Sequence, residues 1–328
     1  MSLSASLNTG VSALQSFSDG LQVISNNIAN VNTTGFKSAR SQYADNFSNL
    51  LQQAAPSSST GIGSNLPSKQ IGTGVSLAGV TADFSQGTLT ATNVPSDLAI
   101  AGNGFFQVKD STSGVAYVTR AGDFRVDDQG YLVTSEGYRL QGLNDGTASY
   151  DATVINGVLK YTKTTTAPTA VGDLKADFEI SLGSGLTNST GGAFTDQQVM
   201  DGRPTMRTFT VDPQGNLIVG LSNGDIVNRG QVLLQNFRDA NALTKEGTNL
   251  YSGLDAAGAI GGTTLTAANN APGSNGLGQV KVGALELSNV DLSKEFSDMI
   301  VTQRSFQAGS RIITVTDTML EEVINLKR

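Results

Sequence analysis

Apolar side chains recur every seventh residue near the start of the chain, at Leu7, Leu14, Leu21 and Ile28, with Leu3, Phe17, Ile24 and Val31 at companion positions and Gly10 as the one interruption. This spacing gathers apolar groups on one seam of a helix and predicts a coiled-coil partner. The far end repeats it through Leu285, Leu292, Met299, Phe306, Ile313 and Leu320, with Phe296 and Ile324 among the companions. Ser288 and Asn289 are cap candidates, with Asp291 in the first turn where a carboxylate favours exposed amides. The reading is a helix from Asn289 to about Leu326, roughly 55 Å long. Its companions Gln303, Ser310 and Asp317 are polar, so one two-helix pair is marginal and further partners are expected.

The middle of the chain reads differently. Of the 19 residues from Pro56 to Gly74, 14 are Pro, Gly, Ser, Thr or Asn, a linker composition. Beyond it, β-branched and aromatic runs alternate with Gly and Asn turns, as at Leu98 to Val108, Tyr117 to Val126 and Tyr131 to Leu140, which predicts strands. The run Phe124 to Val133 is echoed by Phe209 to Ile218, and the Asp127–Gly130 and Asp212–Gly215 stretches are read as matching hairpin turns. Between the echoes lie the Thr164–Thr166 run and the Gly183–Gly192 loops, read as an inserted outer domain. The expected fold is α+β, multi-domain and elongated, with a terminal helical coiled coil and mainly-β central domains between the termini. The expected boundaries are 1–33 and 287–328 for the helices, 34–74 for a connecting segment, 75–146 and 201–286 for an inner β domain, and 147–200 for a small outer β domain.

Composition narrows the function. With 21 basic and 28 acidic residues the net charge is −7, so no basic surplus exists to neutralise phosphate, and nucleic acid is not an expected partner. Cys and His are absent, which removes thiol nucleophiles, disulfides, imidazole metal sites and every triad built on a histidine base. Glycine, at 38 of 328 residues, is well above an average near 7% and favours turns over a helix-rich core. The longest apolar run is Leu98 to Ala101, far short of the roughly 18 residues a membrane span needs, so no membrane insertion is expected. The first 30 residues lack the basic start and apolar stretch of a secretory signal.

The remaining candidates for chemistry are weak. Gly102-Asn-Gly104 lacks the third glycine of a dinucleotide loop and precedes a strand pattern, so a turn or bulge is the better reading. Gly220-Leu-Ser222-Asn-Gly224 has the form of a nucleophile elbow, but no histidine base exists to serve it. The Asp127–Asp128 and Asp212 stretches lack the carboxylates and closing Glu of a calcium loop. No catalytic, cofactor or metal residues are assigned. Arg304 and Arg311, seven apart on the C-terminal helix, are read either as a solvated face or as contacts to a neighbouring subunit.

The stretch Ser25-Asn-Asn-Ile-Ala-Asn-Val-Asn-Thr-Thr-Gly-Phe-Lys37 resembles the N-terminal signature of the bacterial flagellar rod, hook and hook-associated proteins, carried here by Asn26, Asn27, Asn30, Asn32, Gly35 and Phe36. Ser288 to Glu295 with Asp298 to Arg304 resembles their C-terminal signature. Asp97 to Phe106, continuing through Thr119 to Phe124, is similar to the first inner β domain of the hook and distal-rod group. The order of blocks, including Ser85 to Leu89, the insert and Gly230 to Phe237, is most similar to the hook branch, with the distal rod as the alternative. The resemblance implies a structural subunit, not an enzyme, that polymerises into a short curved tube transmitting torque. It implies an assembly seam of Leu7, Leu14, Phe17, Leu21, Ile24, Ile28, Leu292, Phe296, Met299, Phe306, Ile313 and Leu320. The partners it implies are further copies of the chain, a distal rod protein, a hook-filament junction protein, a hook cap scaffold and the flagellar type III export apparatus. The implied location is the hook or basal body, outside the cell, reached without a cleaved signal peptide.

Overall fold

The computed structural model describes residues 3–54, 67–144, 150–155, 158–163, 168–176, 181–182, 206–222, 224 and 226–326. The fold is α+β, and the chain divides into two compact units. One comprises 1–31, 37–84 and 290–328, the other 32–36 and 85–289.

The helical unit is built on α1 (Leu3–Ala29) and α2 (Leu292–Leu326). Strand β1 (Ala39–Asp45) pairs antiparallel with β4 (Val75–Ala82), and β2 (Ser48–Gln52) pairs antiparallel with β3 (Lys69–Gly72). Helix α1 rests on the β1–β4 pair. Ser16 Oγ donates to the Val75 carbonyl at 3.2 Å, and the Phe17 ring meets Tyr43 edge-on at 5.9 Å. The stretch read as a connecting segment therefore carries paired strands on both sides of residues 55–66, which lie outside the described residues. Lys69–Gly72, inside the stretch of linker composition, is a strand.

Helix α2 begins three residues later than the sequence reading places it. Asp291, not Ser288 or Asn289, is the cap: its Oδ1 accepts from the amides of Ser293 at 2.9 Å and Lys294 at 3.3 Å. Asn289 turns away to donate to the Ser85 carbonyl and hydroxyl. An Asp291→Ala variant is expected to lose about 1 kcal/mol of stability in this helix. Circular dichroism melts of the helical signal measure it, and an unchanged midpoint would exclude the cap.

In the β unit, twelve strands join one sheet whose principal path runs Met206–Val211, Asn216–Leu221, Ile226–Val232, Arg139–Asn144, Phe105–Lys109, Ala116–Thr119, Leu250–Ser252 and Thr244–Gly247. Neighbours along this path are antiparallel. Two short pairs stand beside it: Leu98–Ala101 with Gln279–Val282, and Leu89–Ala91 with Ala284–Glu286. The apolar run from Leu98 is thus split at Gly102–Gly104 into two strands, as a turn reading requires. The core gathers Leu98, Ile100, Phe106, Val108, Leu132, Leu140, Leu217, Val232 and Leu234, each nearly or fully excluded from water. Phe106 and Phe124 add a perpendicular ring contact at 5.3 Å.

The sequence echo is also a structural one. Asp127 N donates to the Tyr131 carbonyl and Gly130 N to the Asp127 carbonyl; Asp212, Asn216 and Gly215 make the same two bonds. In both turns the aspartate Oδ1 accepts the amide four residues on, at 2.7 Å. These carboxylates therefore serve their own turns. Gly220 and Leu221 end a strand, and Gly224 N donates to the Leu221 carbonyl at 3.0 Å, the bond of a turn between two strands of the sheet.

The insert differs from its expected bounds. Ala170–Asp173 pairs with Arg139–Asn144 in the principal sheet, and Leu174 and Ala176 lie fully buried in the core. Tyr150–Ile155, Val158–Lys163 and Ser181–Leu182 form a separate three-stranded sheet. The Thr164–Thr166 run and the Gly183–Gly192 loops lie outside the described residues.

Candidate assembly surface

Helices α1 and α2 run antiparallel, because Gly10 lies against Ile313 while Asn27 Nδ2 reaches Glu295 Oε2 at 3.2 Å. The sequence counts Gly10 as an interruption of the apolar line. In the structure it is buried against α2: a Cβ there would stand 3.0 Å from Ile313 Cγ1 and 3.7 Å from the Gly309 carbonyl. Gly309 is buried opposite, facing Leu14. The companion row beside Met299, Phe306, Ile313 and Leu320 is therefore Thr302, Gly309 and Thr316, small residues that allow close packing. It is not the Phe296–Gln303–Ser310–Asp317–Ile324 row the sequence reading used.

The seam residues fall into distinct environments within one chain. Ile24 is buried, while Leu7, Leu14, Phe17, Leu21, Ile28, Met299, Ile313 and Leu320 are partly covered. Leu292, Phe296 and Phe306 are exposed, Phe296 by half of its surface. Arg304 is exposed and donates to Gln307 Oε1 at 3.3 Å, and Arg311 is exposed one heptad on.

A second apolar line was missed. Val301, Ala308 and Val315 are spaced by seven, as are Ile312, Met319 and Leu326, and all six are exposed. The large ones show between 47% and 86% of their surface to solvent. The two lines interleave at spacings of three and four, the pattern of a helix seam. The signal is in the sequence, but the stronger Met299–Leu320 line masks it. A helix apolar on two sides, with one side against α1, carries a face that water disfavours.

The family-signature residues have structural duties. Asn27 is buried, and its amide donates to the Ala39 carbonyl at 2.7 Å and accepts from the Ala39 amide at 2.9 Å, fastening the end of α1 to β1. Asn30 Nδ2 donates back to the Asn26 carbonyl at 2.9 Å, closing the last turn of α1. Asn32 is exposed, while Gly35 and Phe36 are buried in the β unit.

Within the β unit a cleft of about 280 Å³ is lined by residues including Thr119, Asp123, Thr134, Ser135 and Glu136. Burial, reinforced by Glu136 and Asp97, pushes the Asp123 carboxyl above its ordinary value. Asp123 thus holds its proton more tightly folded than unfolded, and its contribution to stability, complete below the unfolded value of 3.8, is lost as pH rises through the folded value. Asp123→Asn is expected to raise the melting temperature at pH 7, with the gain shrinking toward zero below that unfolded value. A gain equal at pH 7 and pH 3 would exclude the charge as its cause.

Three family models match the chain: residues 7–37 match "Flagella basal body rod protein", 99–219 match "Flagellar hook protein FlgE/F/G D1 domain", and 281–326 match "Flagellar basal body rod FlgEFG protein C-terminal". The flagellar basal-body rod protein FlgG of Bacillus subtilis is 35% identical over 323 residues, covering 98% of this chain and 99% of that one. The chain belongs to the flagellar rod and hook family. Another member, the flagellar hook protein FlgE of Borreliella burgdorferi, is 27% identical over 451 residues, covering 98% of this chain and 99% of its own. Among solved structures, the flagellar hook protein FlgE2 of Helicobacter pylori matches at 9% identity with a TM-score of 0.35, over 60% of this chain and all of that one. Family membership accounts for the two terminal signatures and marks the chain as a flagellar structural component. Among the described residues no helix is long and apolar enough to cross a membrane.

Proposed function

We infer that the chain is a subunit of the distal rod of the flagellar basal body, where copies polymerise through their terminal helices into a torque-bearing helical tube. The supporting observation is the fit of lengths. The FlgG alignment spans 323 positions, nearly the chain's 328 residues, whereas the FlgE alignment needs 451, so at least 123 of its positions (451 less 328) have no counterpart here. This favours the rod over the hook that the order of sequence blocks suggested. The hook remains a second reading because FlgE relatives also cover nearly the whole chain.

In this role no bond is made or broken. Copies related by a rotation that does not close on itself build an open helix, so each uses two different surfaces. The exposed line through Val301, Ile312, Val315 and Met319 is one such surface, together with Leu292, Phe296 and Phe306, and Arg304 and Arg311 flank it as contacts to neighbours. The partners are copies of the chain, adjoining rod, hook and junction components, a cap during growth and the type III export apparatus, which delivers the subunit outside the cytoplasmic membrane.

The test is immunogold electron microscopy of isolated hook–basal bodies from the source bacterium, with an antibody raised against residues 147–200. Label on the straight rod is the expected result. Label confined to the curved segment beyond it would transfer the assignment to the hook, and label on neither would remove both.

A further inference from the structure

Five residues break the order of the chain. Asn32–Phe36 pack within the β unit, although Val31 before them and Lys37 after them both belong to the helical unit. They form neither helix nor strand, so main-chain ladders do not hold them. Gly35 N donates to the Glu286 carbonyl at 2.8 Å, and Asn249 Nδ2 donates to the Thr34 carbonyl at 2.8 Å. The buried Phe36 ring lies 4.6 Å from the Lys245 ammonium, whose pKa is lowered by burial.

The receiving surface is built in advance. The Glu286 carboxylate is fully buried and held by Arg120 Nη1 at 3.2 Å and by the Gly87 amide at 2.9 Å, which fixes the strand that offers its carbonyl. Thr248 and Asn249, with φ of 44° and 59°, are the two central residues of the hairpin turn between Thr244–Gly247 and Leu250–Ser252, where a two-residue turn requires positive φ at both. Thr119 Oγ1 braces the turn by donating to the Asn249 carbonyl at 2.9 Å. Gly35 answers with φ of 68°, pressed so close that a Cβ would stand 2.5 Å from the Ala121 amide and 2.7 Å from the Arg120 carbonyl carbon. Only glycine seats there.

We propose that Asn32–Phe36 is a latch, a segment that seats on the preformed Glu286–Asn249 site and lifts off it as one small unit while the β core stays folded. Two features place its opening far below global unfolding. Of its five residues Gly35 and Phe36 are buried and the rest are not, and its backbone is outside the cooperative ladders that set the most protected part of a fold. The inference holds whichever flagellar part the chain builds.

Hydrogen exchange resolved at single amides in the full-length protein tests this. The Gly35 amide is expected to be protected, yet to exchange well ahead of Val108 and Val118 in the sheet. Asn249→Gly suits the local φ and removes the amide that holds Thr34. It is expected to speed exchange at Gly35 about five- to tenfold, the equilibrium factor of one lost hydrogen bond, with Val108 and Val118 unchanged. Exchange at Gly35 in step with the sheet, exchange as fast as an open loop, or no response to Asn249→Gly would each overturn the latch. Should Asn249→Gly loosen the sheet as well, Phe36→Leu poses the question from the latch's side. Acceleration at Gly35 alone is expected there, and acceleration shared with the sheet would overturn the proposal.

Discussion

Glu286→Gln is expected to destabilise the β unit by about 3–5 kcal/mol, because it leaves the Arg120 charge buried without its counterion. Arg120 is 3% exposed and the Glu286 side chain fully enclosed. Arg120 Nη2 donates to the Gly102 carbonyl at 2.9 Å, its guanidinium stands 5.3 Å from the Phe105 ring, and its Nε has no hydrogen-bond partner among the described residues. Burial lowers the Arg120 pKa, with the Glu286 charge opposing that shift. Glutamine keeps the size and can keep the bond to the Gly87 amide, but its Nε2 then faces the Arg120 Nη1 donor, so both the charge and that hydrogen bond are lost. Urea unfolding followed by far-ultraviolet circular dichroism reads the effect. The double variant Arg120→Met, Glu286→Gln should recover much of the loss, since no uncompensated charge then remains. A single variant within about 1 kcal/mol of the parent, or a double variant no better than the single, would show that the pair does not behave as a buried ion pair.

What the sequence made legible followed from local regularity. The heptads marked both terminal helices to within a few residues, and the Asp-x-x-Gly echoes marked two turns with matching hydrogen bonds. Legibility failed wherever the partner lies far along the chain. Arg120 and Glu286 are 166 residues apart, and no local pattern joins them. Asn289 looked like a helix cap because its type suits one, but Ser85, 204 residues away, takes its side chain. Gly10 read as a defect because a heptad count treats glycine as a missing apolar residue, whereas two glycines let α1 and α2 approach closely. Residues 170–176 were placed in the insert for a similar reason: they lie in a stretch rich in Thr, Ala and Gly, and only the pairing of 170–173 with Arg139–Asn144 brings Leu174 and Ala176 into the core. The signature around Asn26–Phe36 reads as one motif, yet its first half fastens α1 to β1 and its second half seats in the β unit.

The exposed line on α2 yields the other large effect. Val315→Asp places a carboxylate where the chain offers an apolar, half-exposed surface, so the isolated subunit should keep its helical circular dichroism and melting temperature. If a neighbouring copy covers this line, the variant loses the burial of one valine, about 1.5–3 kcal/mol, and must also desolvate a charge. At 1.4 kcal/mol per factor of ten, polymer should require about a hundredfold higher subunit concentration, which in a cell means no functional flagellum. Leu14→Asp serves as the contrast, because Leu14 faces Gly309 within the chain and its loss should weaken the monomer's own helix pair as well as assembly. Pelleting of purified protein and motility of a complemented null strain read both variants. Val315→Asp that assembles at the parent concentration and restores swimming would show that this face stays in water, and the interface would then have to lie on the Leu292, Phe296 and Phe306 side of the same helix.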